Sequence, residues 1–162
     1  MPCGVNVHNV TLEALFVATK EKVKGTLVTG VIGGDVHTIG LRVLEHALRD
    51  AGFKVVSLGV QVSQEEYISA AVETGADAVL VSSIGGHGKM QVEGFRDKCV
   101  EAGLKDIIMY IGGQLLYREP WEVTEKDFKD AGFDRVFPPQ TLPAPVIADL
   151  EKDISGKNKG KR

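Results

Sequence analysis

Apolar residues follow two alternating patterns along the chain. Short, nearly continuous apolar runs, typical of strands buried on both faces, cover residues 26–32, 53–58, 78–82, 107–111 and 134–137. Segments with apolar residues at helical spacing cover residues 40–51, 63–74, 91–102, 123–131 and 143–154. This alternation predicts a parallel sheet with helices on both faces. The simplest arrangement is a flavodoxin-like, doubly wound α/β domain, a five-stranded Rossmann-like sheet with strand order 2-1-3-4-5.

The ends of the predicted helices carry a recurring signal. An alanine, a glycine and an apolar residue follow one another at residues 51–53, 102–104 and 131–133. Because glycine readily adopts the left-handed conformation that ends many helices, each triplet predicts a helix end followed by a strand. At the start of the second helix, Ser63 is a typical N-cap and the acidic residues 65–66 lie in the favourable first turn.

Length and composition predict one globular domain. The chain has 162 residues, of which 43% are hydrophobic and 25% charged, as in ordinary soluble proteins. We expect an N-terminal extension over residues 1–24, a ligand-binding domain over 25–154 and a frayed basic tail over 155–162. The net charge is −3, and a mildly acidic body with a short basic tail does not indicate a nucleic-acid partner.

The cellular location follows from two missing signals in the sequence. No apolar run approaches the roughly 20 residues of a membrane helix. The first ten residues lack the basic start and long apolar stretch of a signal peptide. We therefore expect a cytoplasmic protein without a membrane partner.

Unusual residues collect in the loops that follow the predicted strands. In a doubly wound sheet, ligands bind beyond the carboxyl ends of the strands, near the first one. The loops at that edge cover residues 33–40, 82–88, 112–114 and 138–141. Their glycines would let a bulky ligand approach the backbone. The sequence therefore predicts a ligand site where these four loops meet.

Asp35 and His37 are the chemically distinctive pair in the first loop. A carboxylate can accept the Nδ1–H of a nearby imidazole and leave Nε2 free to bind a metal. A lone histidine is a poor zinc site, but it suffices for a metal held by a macrocycle that needs only an axial ligand. From this pair alone, an alternative remains open in which Asp35 caps the following helix and His37 is an ordinary loop histidine.

Three ordered motifs extend the picture beyond this pair. They are Asp35-Val36-His37-Thr38-Ile39-Gly40, Ser82-Ser83-Ile84 and Gly112-Gly113, each placed after its expected strand. Together they resemble the cobalamin-binding family, whose pattern is Asp-x-His-x-x-Gly, Ser-x-Leu and Gly-Gly. One departure is isoleucine in place of leucine at position 84.

The resemblance implies a role for each motif. His37 would be the lower axial ligand of cobalt, in place of the cofactor's own dimethylbenzimidazole, with Asp35 behind it. Ser82 and Ile84 would line the displaced nucleotide tail, and Gly112 and Gly113 would give it room. Further candidates for contact with the cofactor are Gly34, Val36, Thr38, Ile39, Gly40, Ser83, Gln114, Leu115, Leu116, Tyr117, Pro138 and Pro139.

Further segments carry a closer likeness, among them Val31-Ile32-Gly33, Glu101-Ala102-Gly103-Leu104-Lys105 and Gly132-Phe133-Asp134-Arg135-Val136. Through them the chain resembles the small subunits of glutamate mutase (methylaspartate mutase) over residues 26–150. The resemblance implies an isomerase component that uses adenosylcobalamin to interconvert glutamate and 3-methylaspartate. The chain is too short for a barrel of about 250 residues, so a larger partner would carry the substrate site. The resemblance implies that this partner is a barrel-type subunit and that the two form a heterotetramer. The loop after the third strand departs from these subunits, because Gly85, His87 and Lys89 replace tyrosine, glutamine and glutamate.

Two other functions remain as alternatives. A corrinoid carrier of a methyltransferase system would bind the same cofactor, but such carriers usually have a helical bundle before the cobalamin domain, and only about 24 residues precede the first strand here. A phosphoreceiver would need an aspartate at Ser82 and a lysine near Phe137. A flavodoxin would need a hydroxyl-rich first loop, which offers only Thr38.

Overall fold

The computed structural model describes residues 23–159. Its strands are β1 (Thr26–Val31), β2 (Lys54–Ser57), β3 (Ala78–Ser82), β4 (Ile108–Gly112) and β5 (Arg135–Phe137). Its helices are α1 (Ile39–Asp50), α2 (Gln64–Thr74), α3 (Gly88–Val92), α4 (Phe95–Glu101), α5 (Trp121–Asp130) and α6 (Pro143–Lys159). No helix in this range is long and apolar enough to cross a membrane. Most of the predicted N-terminal extension, residues 1–22, lies outside the described residues.

The five strands form one parallel sheet in the order β2-β1-β3-β4-β5, as predicted. The register pairs Val31 of β1 with Ser82 of β3, and Ser82 with Gly112 of β4. The carboxyl ends of the three central strands therefore lie side by side. This alignment brings together the loops that carry the three sequence motifs.

A separate apolar layer covers each face of the sheet. Since neighbouring side chains of a strand point to opposite faces, Leu27 packs with α1 and α6 while Val28 packs with α2, α4 and α5. Both side chains are fully buried. Burial on both faces explains why the central strands β1, β3 and β4 have nearly continuous apolar sequences.

The predicted helix ends are confirmed, and two helices differ in extent. Ser63 forms a capping box with Glu66, and a left-handed glycine follows each of α1, α2, α4 and α5. The helix predicted over 91–102 is two helices, because Gly94 adopts a left-handed conformation with φ of 71° between α3 and α4. The last helix ends at Lys159 rather than at residue 154, so the predicted tail begins inside it.

An ion-pair network joins the last helix to the edge of the sheet. The Tyr110 hydroxyl donates to Asp153 at 2.6 Å, and the Arg135 guanidinium donates to both oxygens of Asp153 at 2.8 and 2.9 Å. The hydrogen bonds from Arg135, with smaller help from Tyr110, hold the pKa of Asp153 below its ordinary value. The ionised carboxylate is therefore the form that the fold stabilises.

We expect Asp153→Asn to lower the free energy of unfolding at pH 7 by about 1–3 kcal/mol, because a charged acceptor of three hydrogen bonds is lost. Because the pKa of Asp153 is lower in the folded than in the unfolded chain, its carboxylate stabilises the fold at pH values above the unfolded pKa of about 3.9. This stabilisation is lost as the pH falls through the pKa of the folded state. The difference between variant and wild type should therefore shrink below about pH 4. Urea unfolding at several pH values measures the difference in free energy of unfolding, and Asp130→Asn, at an exposed position, is the control. A difference between wild type and Asp153→Asn that does not change with pH would contradict the prediction.

Candidate functional site

The loops at the carboxyl edge of the sheet are joined by backbone hydrogen bonds. The N–H of Ser83 donates to the carbonyl of Gly112 at 3.1 Å, and the N–H of Gly113 donates to the carbonyl of Phe137 at 3.3 Å. The N–H of Ile84 donates to the Asp35 carboxylate at 2.6 Å. The predicted convergence of these loops is therefore confirmed.

Asp35 is held entirely by protein groups. Its Oδ1 accepts the ring Nδ1–H of His37 at 2.7 Å and the backbone N–H of the same residue at 3.0 Å. Its Oδ2 accepts the N–H of Ile84, and only 2% of the side chain is exposed. Burial by itself would raise the pKa of Asp35, but the hydrogen bonds from His37 and Ile84 outweigh it and hold the pKa below the ordinary value. The carboxylate is thus an ionised, fixed acceptor.

The imidazole of His37 is oriented for ligation. Because Asp35 accepts the hydrogen on Nδ1, the lone pair lies on Nε2, and 68% of the side chain is exposed. Across residues 23–159, no three histidine, cysteine, aspartate or glutamate side chains group together as a metal site. A metal bound by His37 would therefore need its remaining ligands from another molecule, which is what a macrocycle supplies.

The alternative in which Asp35 caps the following helix does not match the structure. Helix α1 has Thr38 at its N-cap position, and no side chain accepts a hydrogen bond there. The bonds of Asp35 go to His37, which precedes the helix, and to Ile84, 49 residues away. Asp35 therefore orients the histidine and ties its loop to the loop after β3.

A cavity of about 450 Å³ lies between α1, the ends of β3 and β4, and the start of α6. Its lining includes Ile84, whose N–H binds Asp35. Eight of the predicted residues line it: Gly40, Ser82, Ile84, Gly112, Gly113, Gln114, Pro138 and Pro139. Most of the other lining is apolar, including Leu41, Leu44 and Val146. Leu41 and Leu44 were not among the predicted site residues, although their helical spacing in the sequence places them on one apolar face.

The glycines of the site serve different purposes. A Cβ on Gly113, whose φ is 120°, would lie 2.2 Å from the carbonyl oxygen of Ser83, so the strand ends can approach only with glycine there. A Cβ on Gly112 would lie 3.3 Å from the Cβ atom of Phe137. A Cβ on Gly40 would meet no atom within 4 Å, so this glycine leaves the cavity open. The approach of the strand ends therefore requires glycine at position 113, whereas Gly40 borders the cavity without touching other groups.

The remaining predicted residues lie outside the cavity. Ser83 and Leu115 are buried against the opposite layer, where the Ser83 hydroxyl donates to Gln91 at 3.2 Å. Gly34 and Thr38 belong to the first loop, and Leu116 and Tyr117 belong to the segment that follows β4. Val36 and Ile39, which flank His37 in the chain, are exposed by 58% and 84%. Apolar side chains so exposed beside a free imidazole suit the flat apolar face of a large ligand.

We expect Asp35→Asn to weaken cofactor binding by about 10–100-fold while leaving the fold intact, as is typical for a group that orients a metal ligand. An asparagine cannot accept hydrogen bonds at both terminal atoms, so either His37 or Ile84 loses its partner. Titration of the chain with cobalamin measures the change. The exposed Asp97→Asn on α4 is the control, and equal affinity of wild type and Asp35→Asn would contradict the prediction.

Known proteins resemble this chain over most of its length. A family model described as "B12 binding domain" matches residues 25–148. The glutamate mutase sigma subunit of Carboxydothermus hydrogenoformans is 54% identical over 129 residues, which cover 79% of this chain and 94% of that protein. The glutamate mutase sigma subunit of Clostridium cochlearium is 50% identical over 133 residues, covering 82% of this chain and 97% of that protein.

Solved structures share the fold at lower identity. A cobalamin-binding protein from Desulfitobacterium hafniense DCB-2 superposes with a TM-score of 0.65 at 22% identity, over 79% of this chain and 58% of that one. The methanol:cobalamin methyltransferase complex MtaBC from Methanosarcina barkeri superposes at 0.67 and 24% identity, over 88% of this chain and 51% of that one. These likenesses show the fold alone. The family match and the close relatives decide the membership: the chain belongs to the B12-binding domain family and, within it, to the glutamate mutase sigma subunits.

Proposed function

We propose that this chain binds adenosylcobalamin as the cofactor-binding subunit of a glutamate mutase, an isomerase that interconverts glutamate and 3-methylaspartate. The observation that carries the proposal is the 2.7 Å contact between Asp35 and His37, which leaves Nε2 free. The same carboxylate binds the N–H of Ile84, a residue that lines the apolar cavity. The cobalamin-binding unit begins at residue 25 and includes the last helix, which ends at Lys159, and its location is cytoplasmic.

Different residues of the site bind different parts of the cofactor. His37 would supply a ring nitrogen to cobalt, and Asp35 holds the imidazole in the tautomer that leaves Nε2 free. Ser82 and Ile84, at the cavity wall, contact the nucleotide tail, with the backbone of Gly112 and Gly113 beside them. When bound, the cofactor would supply the radical chemistry of the reaction.

A second subunit completes the enzyme. The apolar side chains of Val36, Ile39 and Met90 are largely exposed on this chain, and a reactive radical must be kept from water. We propose that a larger, barrel-type subunit covers this edge and binds the substrate carboxylates, in a heterotetramer. The carrier alternative is supported only by structures below 25% identity, which show a shared fold.

Reconstitution with the large subunit of a glutamate mutase tests the proposal. We expect this chain to bind cobalamin alone, to bind it more tightly when the large subunit is added, and to convert glutamate to 3-methylaspartate only in that mixture. Absence of turnover with every mutase large subunit, together with methyl transfer by a corrinoid methyltransferase, would establish the carrier function instead. Turnover by this chain alone would contradict the division of labour.

A further inference from the structure

Tyr117 lies beside the His37 site, and its contacts are with the loop after β3. Its hydroxyl donates to the carbonyl of Ile84 at 3.0 Å. Its ring packs on Gly86, where an added Cβ would lie 2.1 Å from the ring. Gly86 has φ of 69°, a conformation that favours glycine. The ring thus packs directly on the backbone of this loop.

Hydrogen bonds join the loop after β3 to the segment that carries Tyr117. The N–H of Gly86 donates to the carbonyl of Gln114, and the N–H of Gly88 to the carbonyl of Leu115, each at 3.3 Å. His87 also pairs with Leu116 in an isolated antiparallel bridge. Tyr117 follows directly after this short ribbon and contacts the end of the loop nearest Asp35.

Ile84 is the residue through which Tyr117 can act on the cofactor site. Its carbonyl accepts from Tyr117, while its N–H donates to Oδ2 of Asp35 at 2.6 Å. The other oxygen of Asp35 holds the His37 ring. Three hydrogen bonds therefore connect the Tyr117 hydroxyl, through one backbone residue and one carboxylate, to the imidazole.

We propose that Tyr117 is a positioning residue for His37: it fixes Ile84, which fixes the Asp35 carboxylate that orients the imidazole. The inference deepens the proposed function and rests on it for the role of His37. It assigns Tyr117 to the support of the ligand, whereas the sequence resemblance placed it among the residues that contact the cofactor.

The test compares Tyr117→Phe, which removes only the hydroxyl, with Tyr117→Ala, which also removes the ring from Gly86. The control is Tyr67→Phe, because the Tyr67 hydroxyl is buried and has no hydrogen-bond partner. Amide hydrogen exchange of the cofactor-free chain reports on the Ile84 N–H without depending on cobalt. Nitrogen hyperfine coupling in the cobalt(II) spectrum reports the fraction of bound cobalamin that carries the protein imidazole.

We expect Tyr117→Phe to speed exchange at Ile84 and to shift the imidazole ligation equilibrium, each by about 2- to 10-fold, the usual worth of one hydrogen bond. Tyr117→Ala should have the larger effect and Tyr67→Phe none. Unchanged exchange at Ile84 in Tyr117→Phe would overturn the inference, as would faster exchange with unaltered imidazole ligation. If wild type shows no protein imidazole on cobalt, the proposed function fails and the positioning of a cobalt ligand fails with it.

Discussion

Replacement of His37 by glycine is expected to remove the protein nitrogen from bound cobalt completely. Nε2 of His37 is the ring atom that Asp35 leaves free, and the wild-type spectrum should show its hyperfine coupling. Growth on ¹⁵N-histidine should change the splitting pattern in wild type and leave that of His37→Gly unchanged. The measurement is the cobalt(II) spectrum of the protein-bound cofactor.

Adding free imidazole to the His37→Gly variant provides a second test of the ligand. The glycine variant leaves space beside Asp35, so free imidazole should restore a nitrogen ligand to cobalt without restoring the covalent link to the loop. The control is His46→Ala, since His46 lies exposed on α1 outside the cavity lining. Persistence of the labelled nitrogen in His37→Gly would exclude His37 as the ligand.

Substitution of Gly40 by phenylalanine is expected to exclude the nucleotide tail from the cavity. A Cβ at this position meets no atom within 4 Å, so we expect the fold to tolerate the side chain. Because Gly40 lines the cavity, we expect the ring to compete with the tail for that space. If the tail buries roughly 150 Å² of apolar surface, its loss costs about 4 kcal/mol, or several hundredfold in affinity. Titration with cobalamin measures the loss.

Gly156 provides a matched control for this substitution. It also lies in a helix, α6, is exposed, and leaves open space where a Cβ would stand. Gly156→Phe should bind cobalamin as wild type does, and both variants should unfold at similar urea concentrations. Normal affinity in Gly40→Phe would show that the tail does not enter this cavity.

Local sequence was sufficient to predict the elements and their order. The central strands β1, β3 and β4 are buried on both faces, so their apolar runs are visible without knowledge of their neighbours. Helix ends depend on the preferences of single residues. This is why the N-cap role of Ser63 and the left-handed glycines at helix ends were predicted correctly. The break at Gly94 was missed, because a glycine inside an apolar helical pattern can be tolerated or can end the helix.

The sequence by itself also determined that Asp35 could orient His37 as a metal ligand. The two residues are two positions apart in one loop, so their side chains can make direct contact. Only the tertiary structure decided that Asp35 also binds the N–H of Ile84, because that contact depends on the register of β1 against β3. It also decided which residues line the cavity. Leu115 follows directly after Gln114 yet packs in the opposite layer, since the path of the backbone after β4 sets the face on which each side chain lies.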